Sequence, residues 1–321
     1  MVLDDARLTA QCKQLRHDLS SAAARIGADL ISARDTQHDV GTDITTESEC
    51  SRRNTAEIAI AASKRVAEAL RCLEEYCKLI DPAVAVSIEQ LRYRLYALDQ
   101  EIVLGGPRQA HLRRARLHVL LTAELCRGEW HAVAEQAIAG GADVIQLREK
   151  NLSDRELLDR GLRLRDLTAR HDVLLIINDR PDIARLVDAD GVHLGQEDMP
   201  IAAARQIVGS NRLIGRSNQR LNDAQIAQDE GADYIAVGPM FPSPTKPEKP
   251  TAGLRVLTEV APIAKLPLVA IGGVTAQNVQ EIIRAFSACQ VAVCQAVIAA
   301  LSPSAAAQAI KLAMIENADR T

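Results

Sequence analysis

Val144-Ile145-Gln146-Leu147-Arg148-Glu149-Lys150 is a short, mostly apolar run that breaks into charged side chains. Its length suits a strand rather than a helix, and period-two alternation places Gln146, Arg148 and Lys150 on one side. Seven similar runs surround it: Leu117–Leu121, Leu174–Ile177, Gly191–Leu194, Leu213–Gly215, Tyr234–Val237, Leu268–Ile271 and Val291–Cys294. Each is followed by a stretch of helical composition, or by a polar loop and a turn of helix. That alternation implies parallel strands joined by crossover helices. Eight such units in about 205 residues fit a (β/α)8 TIM barrel. An open doubly wound sheet is the alternative, but it calls for a glycine fingerprint after the first strand, which Leu117–Thr122 lacks.

Upstream the periodicity changes. Leu8, Cys12, Leu15, Leu19 and Ile26 mark one helical face, Val66, Leu70, Leu73, Cys77 and Ile80 a second, and Ile88, Leu91, Leu95, Leu98 and Ile102 a third. No strand signal interrupts them. Gly105-Gly106-Pro107 breaks the last helix, and a basic stretch runs to Arg116. The expected division is an all-α helical domain over 1–105, a linker over 106–116 and the barrel over 117–321.

Composition narrows the function. Of 321 residues only 2% are aromatic, which leaves too few rings for a single-stranded nucleic-acid platform. The net charge of -4 offers no basic excess for DNA, so no nucleic-acid partner is expected. No run of eighteen apolar residues and no signal peptide is found, so a cytoplasmic location with no membrane partner is expected. The seven cysteines show no CxxC spacing and read as reduced, mostly buried thiols. A homo-oligomer is compatible with this composition.

In a barrel, chemistry gathers at the carboxyl ends of the strands. Arg148 and Lys150 on one side of a strand end are costly unless an anion occupies the mouth, and two adjacent cations suit a multiply charged one such as pyrophosphate. Asp179 and Asp198 follow neighbouring strands. Paired carboxylates with phosphate oxygens and water are what Mg²⁺ requires. Taken singly, Asp179 could instead pair with Arg180, and Asp198 could cap a helix before Pro200. His193 reads as a packed core histidine. The sixth strand leads into Pro239-Met240-Phe241-Pro242-Ser243-Pro244-Thr245-Lys246, a loop long enough to serve as a lid. Gly272-Gly273 after the seventh strand, with Cys294-Gln295 after the eighth, mark a site where a phosphate can approach backbone amides closely.

These stretches together resemble the thiamine phosphate synthase (thiamine-phosphate pyrophosphorylase) family over about residues 115–317. The resemblance implies a transferase that joins hydroxymethylpyrimidine diphosphate to a thiazole phosphate and releases pyrophosphate, with Mg²⁺ as cofactor. It assigns Gln146, Arg148, Lys150, Asn178, Ser217 and Lys246 to the pyrimidine diphosphate, with Arg148, Lys150, Ser217 and Lys246 catalytic. Asp179 and Asp198 fall to the metal, and Ser243, Pro244, Thr245, Gly273, Cys294 and Gln295 to the thiazole phosphate. Ser243 stands where a threonine is usual, and Gln295 where a serine is common. A thiazole tautomerase-like barrel and a non-catalytic ligand sensor are the rival readings. The N-terminal stretches Leu15-Arg16-His17-Asp18-Leu19, Arg34-Asp35-Thr36, Asp39-Val40-Gly41-Thr42 and 65–76 resemble the phosphomethylpyrimidine kinase-like extension that precedes this synthase in some bacteria. No GxxxxGK[ST] loop accompanies them, so a dimerising or purely structural helical module is the other reading.

Overall fold

The computed structural model describes residues 6–27, 55–102, 106–242 and 251–315. The chain divides into two compact units, Met1–Gly106 and Pro107–Thr321.

The first unit contains α1 (Ala6–Ala24), α2 (Thr55–Ile80) and α3 (Pro82–Gln100). Asp81 ends one helix and starts the next. Its carboxylate accepts the Ala83 N–H at 2.8 Å, and Pro82 fills the first helical position, where its missing N–H costs nothing. Leu15, Leu70, Cys77, Val84, Ile88, Leu91 and Leu95 form the core. The apolar face expected on α2 is split. Leu70 and Cys77 are buried, whereas Val66, Leu73 and Ile80 are exposed. The helix instead turns Glu74 inward, where Arg92 of α3 donates to its carboxylate at 2.9 Å and offsets the cost of burying it.

The second unit is a closed parallel barrel in the order β1-β2-β3-β4-β5-β6-β7-β8. The strands are β1 (Leu117–Leu121), β2 (Val144–Leu147), β3 (Leu174–Asn178), β4 (Gly191–Leu194), β5 (Leu213–Asn218), β6 (Tyr234–Val237), β7 (Leu268–Ile271) and β8 (Gln290–Val293). All eight expected strands are present. Three differ at their ends: β3 includes Asn178, β5 continues through Ser217 and Asn218, and β8 begins and ends one residue earlier. Polar side chains are tolerated there because alternate positions face the barrel mouth rather than the helices. Outward residues such as Ile145 and Leu147 join the sheet–helix core, while Leu120, Val144, Leu174, Ile176, Tyr234 and Val269 pack inside the barrel.

The opposite end of the barrel is closed by α4 (Gly106–Arg114), a helix within the stretch expected as a linker. Leu112 inserts into the inner cluster at 1% exposure. Arg108 donates to Asp190 at 3.0 Å, and Gln109 to Asp233 at 2.9 Å. Asp190 and Asp233 belong to a set with Asp143, each immediately before an even-numbered strand. Asp143 accepts the Leu117 N–H, Asp190 the Leu175 N–H and Asp233 the Ile214 N–H, all within 2.9 Å. Each carboxylate thus satisfies a backbone donor at the start of the preceding odd strand, and each is charge-balanced, by Lys311, Arg165 and Arg205 respectively.

His118 lies above this floor. Gln290 donates to the Leu112 carbonyl at 2.6 Å, which turns its amide oxygen toward His118 Nε2 at 2.7 Å. Burial pushes the imidazole down to about 4, although the Gln290 hydrogen bond opposes this. The unfolded chain then binds a proton that the folded chain refuses between about pH 6.5 and 4, so stability is lost as pH falls through that window. We expect chemical-denaturation midpoints to show the folded barrel losing about 3 kcal/mol from this group between pH 7 and 4. The His118→Asn variant should lose that part of the slope, and an unchanged slope would contradict the assignment.

Among the described cysteines all are free. Cys77 and Cys289 are buried, Cys126 and Cys294 half-buried, and Cys12 and Cys72 exposed, so the expectation of mostly buried thiols holds only for some.

Candidate active site

A cavity of about 510 Å³ opens at the carboxyl end of the barrel. Arg148, Ser217, Gly273, Cys294 and Gln295 line it, so five of the expected site residues meet on one surface. A second, polar cavity of about 660 Å³ adjoins it, lined by Lys150 and sharing Arg148 and Gln295. Gln146 points inward from β2 and donates to Asn178 of β3 at 3.2 Å. Ser243, Pro244, Thr245 and Lys246 lie outside the described residues, as do Arg34, Asp35, Thr36, Asp39, Val40, Gly41 and Thr42.

Asp179 and Asp198 come together as expected. Arg180 does not compete for Asp179, because its guanidinium is taken by Asp182 and Asp154. Asp179 instead lies 3.6 Å from Lys150 Nζ, and its backbone sits in the left-handed region at φ 63°, held by a 2.8 Å hydrogen bond from its N–H to the His193 carbonyl. Burial, then the hydrogen bond and charge of Asp198, push the Asp179 carboxyl up to about 6. Burial works against Asp198 ionising, but the Asp179 hydrogen bond and the Gly195 N–H at 2.6 Å hold its carboxyl below the usual range. Below about pH 6 one carboxylate and one carboxylic acid therefore share a proton, and above it two carboxylates face each other where a cation could replace that proton. No group of three or more His, Cys, Asp or Glu side chains placed to hold a metal ion exists among the described residues. A cation here would draw its other ligands from water and substrate oxygens, which fits Mg²⁺.

His193 proves to be more than core filling. Its Nδ1 is 3.0 Å from Tyr234 Oη and its Nε2 2.8 Å from Ser217 Oγ. Burial raises the Tyr234 phenol far above its usual range, so it keeps its proton. In the tautomer with the proton on Nε2, Tyr234 donates to His193, His193 donates to Ser217, and the Ser217 hydroxyl hydrogen is left for a ligand. Gly215 makes room for this stack, because a Cβ there would collide with the Tyr234 ring.

Gly272 and Gly273 have φ of 99° and 66°, and a Cβ on Gly273 would come within 2.8 Å of Phe241 Cβ. Only glycine lets the loop after β6 close over the turn after β7. The thiols are poor nucleophiles: burial pushes Cys126 up to about 12 and also raises Cys294. Asn218 and Thr275 also line the first cavity and were not anticipated; their position one or two residues beyond a recognised motif was the available signal.

Fold and site together define a (β/α)8 enzyme with cationic, carboxylate and glycine-lined subsites at one mouth. Residues 117–297 match the family model described as thiamine monophosphate synthase, and residues 1–101 match that of the ThiD2 family. A thiamine-phosphate synthase of Synechocystis sp. is 40% identical over 304 residues, covering 95% of this chain and 86% of that one. The corresponding Rhodopirellula baltica protein is 40% identical over 88% of this chain and 78% of its own. The solved thiamine phosphate pyrophosphorylase of Pyrococcus furiosus superposes with a TM-score of 0.59 at 37% identity, covering 64% of this chain and 98% of that one. The chain belongs to the thiamine-phosphate synthase family, and it is a transferase of thiamine biosynthesis.

Proposed function

We propose that the barrel condenses 4-amino-2-methyl-5-hydroxymethylpyrimidine diphosphate with 4-methyl-5-(2-phosphoethyl)thiazole, or its carboxylated form, to give thiamine phosphate and pyrophosphate. The observation that carries this reading is one cavity lined by Arg148 and Ser217 together with Gly273 and Gln295. It supplies one subsite for a diphosphate and another for a monophosphate. The pyrimidine methylene–oxygen bond breaks with its electron pair leaving on pyrophosphate, and the thiazole nitrogen then donates its lone pair to the methylene carbon. Arg148, Lys150 and Lys246 stabilise the charge that develops on the departing oxygens, and the Ser217 hydroxyl donates to them. Gln146 and Asn178 hold the diphosphate substrate. Asp179 and Asp198 would hold Mg²⁺, which would supply further neutralisation of the diphosphate. Ser243, Pro244, Thr245, Gly273, Cys294 and Gln295 hold the thiazole phosphate, so positioning supplies much of the remaining acceleration.

The tautomerase alternative is disfavoured by the paired carboxylates beside two cations, which that chemistry does not need. The test is direct: full-length protein with both phosphorylated halves and Mg²⁺ should release one pyrophosphate per thiamine phosphate. Tight binding without pyrophosphate would instead indicate a sensor. No helix among the described residues is long and apolar enough to cross a membrane. A cytoplasmic location is part of the same proposal, because both phosphorylated substrates are small and water-soluble. We propose the same division, a helical domain over 1–105 and a barrel over 117–321, with the stretch expected as a linker folded largely as α4 on the barrel.

For the N-terminal domain we propose a phosphomethylpyrimidine kinase that feeds the barrel, on the strength of the resemblance described above, in a region that matches the ThiD2 family over residues 1–101. Full-length protein given ATP and the pyrimidine monophosphate should then form ADP. If it does not, the domain has a structural or dimerising role.

A further inference from the structure

Arg148 and Lys150 flank a residue that strand alternation must turn the other way. Glu149 is absent from the lining of the cavity that holds Ser217 and Gly273 and stands instead in the wall of the adjoining one, with its side chain 7% exposed. Its Oε1 accepts the Ala123 N–H at 2.9 Å and Arg160 Nη1 at 2.6 Å. Ala123 follows β1. Arg160 projects from α6 (Asp154–Arg170), which follows α5 (Trp130–Ala139), and its guanidinium lies 5.4 Å from the centroid of the Trp130 ring. The helix that carries Arg160 starts at a capping box, in which Ser153 and Glu156 satisfy each other's backbone donors, so the base of this arm is itself fixed. The backbone of Arg148 is pinned to the same neighbour strand. Its N–H donates to the Leu121 carbonyl at 2.8 Å, and its carbonyl accepts the Thr122 hydroxyl at 2.7 Å.

We propose that Glu149 is a positioning residue for the pyrophosphate-releasing step, clamping the β1 and β2 ends together so that Arg148 is held at the diphosphate. This rests on the leaving-group role given to Arg148 above. By contrast with Glu149, the guanidinium of Arg148 makes no ion pair with any other described residue, so nothing in its own side-chain contacts fixes it. Its aim therefore comes from the backbone, and the backbone after β2 is fixed by the three residues Leu121, Thr122 and Glu149. A carboxylate serves the clamp better than an amide, because it accepts from a backbone N–H and a guanidinium on one oxygen and balances the charge of Arg160.

A cycle of Glu149→Gln, Arg148→Ala and the double variant in full-length protein tests this, with turnover, KM for each substrate and circular dichroism measured. Glu149→Gln is expected to lower kcat about 10²-fold, the effect of an ångström-scale misplacement. KM for the thiazole phosphate should stay unchanged. In the Arg148→Ala background the same change should cost less than about threefold, since the group it aims is gone. The same roughly 10²-fold loss in both backgrounds overturns the proposal, because Glu149 would then act independently of Arg148. Wild-type kcat in Glu149→Gln overturns it as well. The Arg148→Ala single variant separates the two layers. If it turns over normally, the leaving-group reading fails and the clamp falls with it; if it is slow and the effects simply multiply, only the clamp fails. Should Glu149→Gln not fold, Thr122→Val, which removes the hydroxyl on the Arg148 carbonyl, is read by the same rule.

Discussion

Arg148→Ala is expected to reduce kcat for the condensation by about 10²–10³-fold, as happens when one preorganised donor to a developing oxyanion is removed. The loss should fall on kcat more than on KM for the thiazole phosphate, because the guanidinium faces charge that grows only as the carbon–oxygen bond breaks. Folding should hardly change. The side chain is half-buried at the rim of the cavity, makes no ion pair among the described residues, and contributes no apolar core. Its removal relieves repulsion with Lys150 rather than leaving a buried partner stranded, so a stability change within about 0.5 kcal/mol is expected. Steady-state kinetics and a thermal melt decide the matter. Wild-type turnover, or an inactive variant that has also lost its melting transition, would remove Arg148 from the leaving-group role. Lysine at this position should recover part of the rate, since charge returns without the planar fork that engages two phosphate oxygens.

Much of this was legible because barrel strands are short and punctuated. Val144–Leu147 and Gly191–Leu194 stand out as apolar runs whose ends carry charge, and the closed geometry then brings distant ends together. Asp179 and Asp198 could be paired from sequence because they follow adjacent strands. What escaped notice were contacts whose partners carry no local mark. Tyr234 looks like an ordinary strand aromatic, yet the glycine at 215 across the β5–β6 pairing lets its ring reach His193 and, through it, Ser217. Leu112 and Arg108 lie in a stretch with weak amphipathicity, so only the barrel floor reveals α4 as a plug. Asp143, Asp190 and Asp233 recur before alternate strands, but their role depends on a neighbouring strand's unpaired N–H, which a linear reading does not see. The α2 face was misread for a related reason: a step of three and four fits both the buried and the exposed side of a helix whose core position includes a paired Glu74.

Asp179→Asn should separate stability from catalysis. In the metal-free protein Asp179 titrates at about 6, above its value of 3.8 in an unfolded chain, because it is buried and faces Asp198. The folded state therefore holds a proton that the unfolded state releases between those values, and stability falls as pH rises from about 4 to 6. By pH 7.5 the metal-free fold carries two neighbouring carboxylates, with Lys150 paired to Asp179 and the charges of Arg148 and Arg216 offsetting their repulsion only in part. Asparagine removes one of those charges and keeps the shape, so the variant should melt at a higher temperature than wild type in chelator at pH 7.5, and the difference should shrink toward pH 5. With Mg²⁺ present the order should invert in function. The variant loses one anionic oxygen from the proposed metal site, and we expect the Mg²⁺ concentration for half-maximal rate to rise at least about tenfold, with kcat reduced. A thermal melt in chelator and a Mg²⁺ titration of rate read these two effects independently. Unchanged melting in chelator would mean that the two carboxylates do not repel, and an unchanged Mg²⁺ requirement would mean that the metal is held elsewhere. Both outcomes together would leave Asp179 as a turn residue whose left-handed backbone serves only to end β3. The combination expected instead, a more stable protein that is a poorer enzyme, is the behaviour of a site that keeps unfavourable charge in place for a ligand.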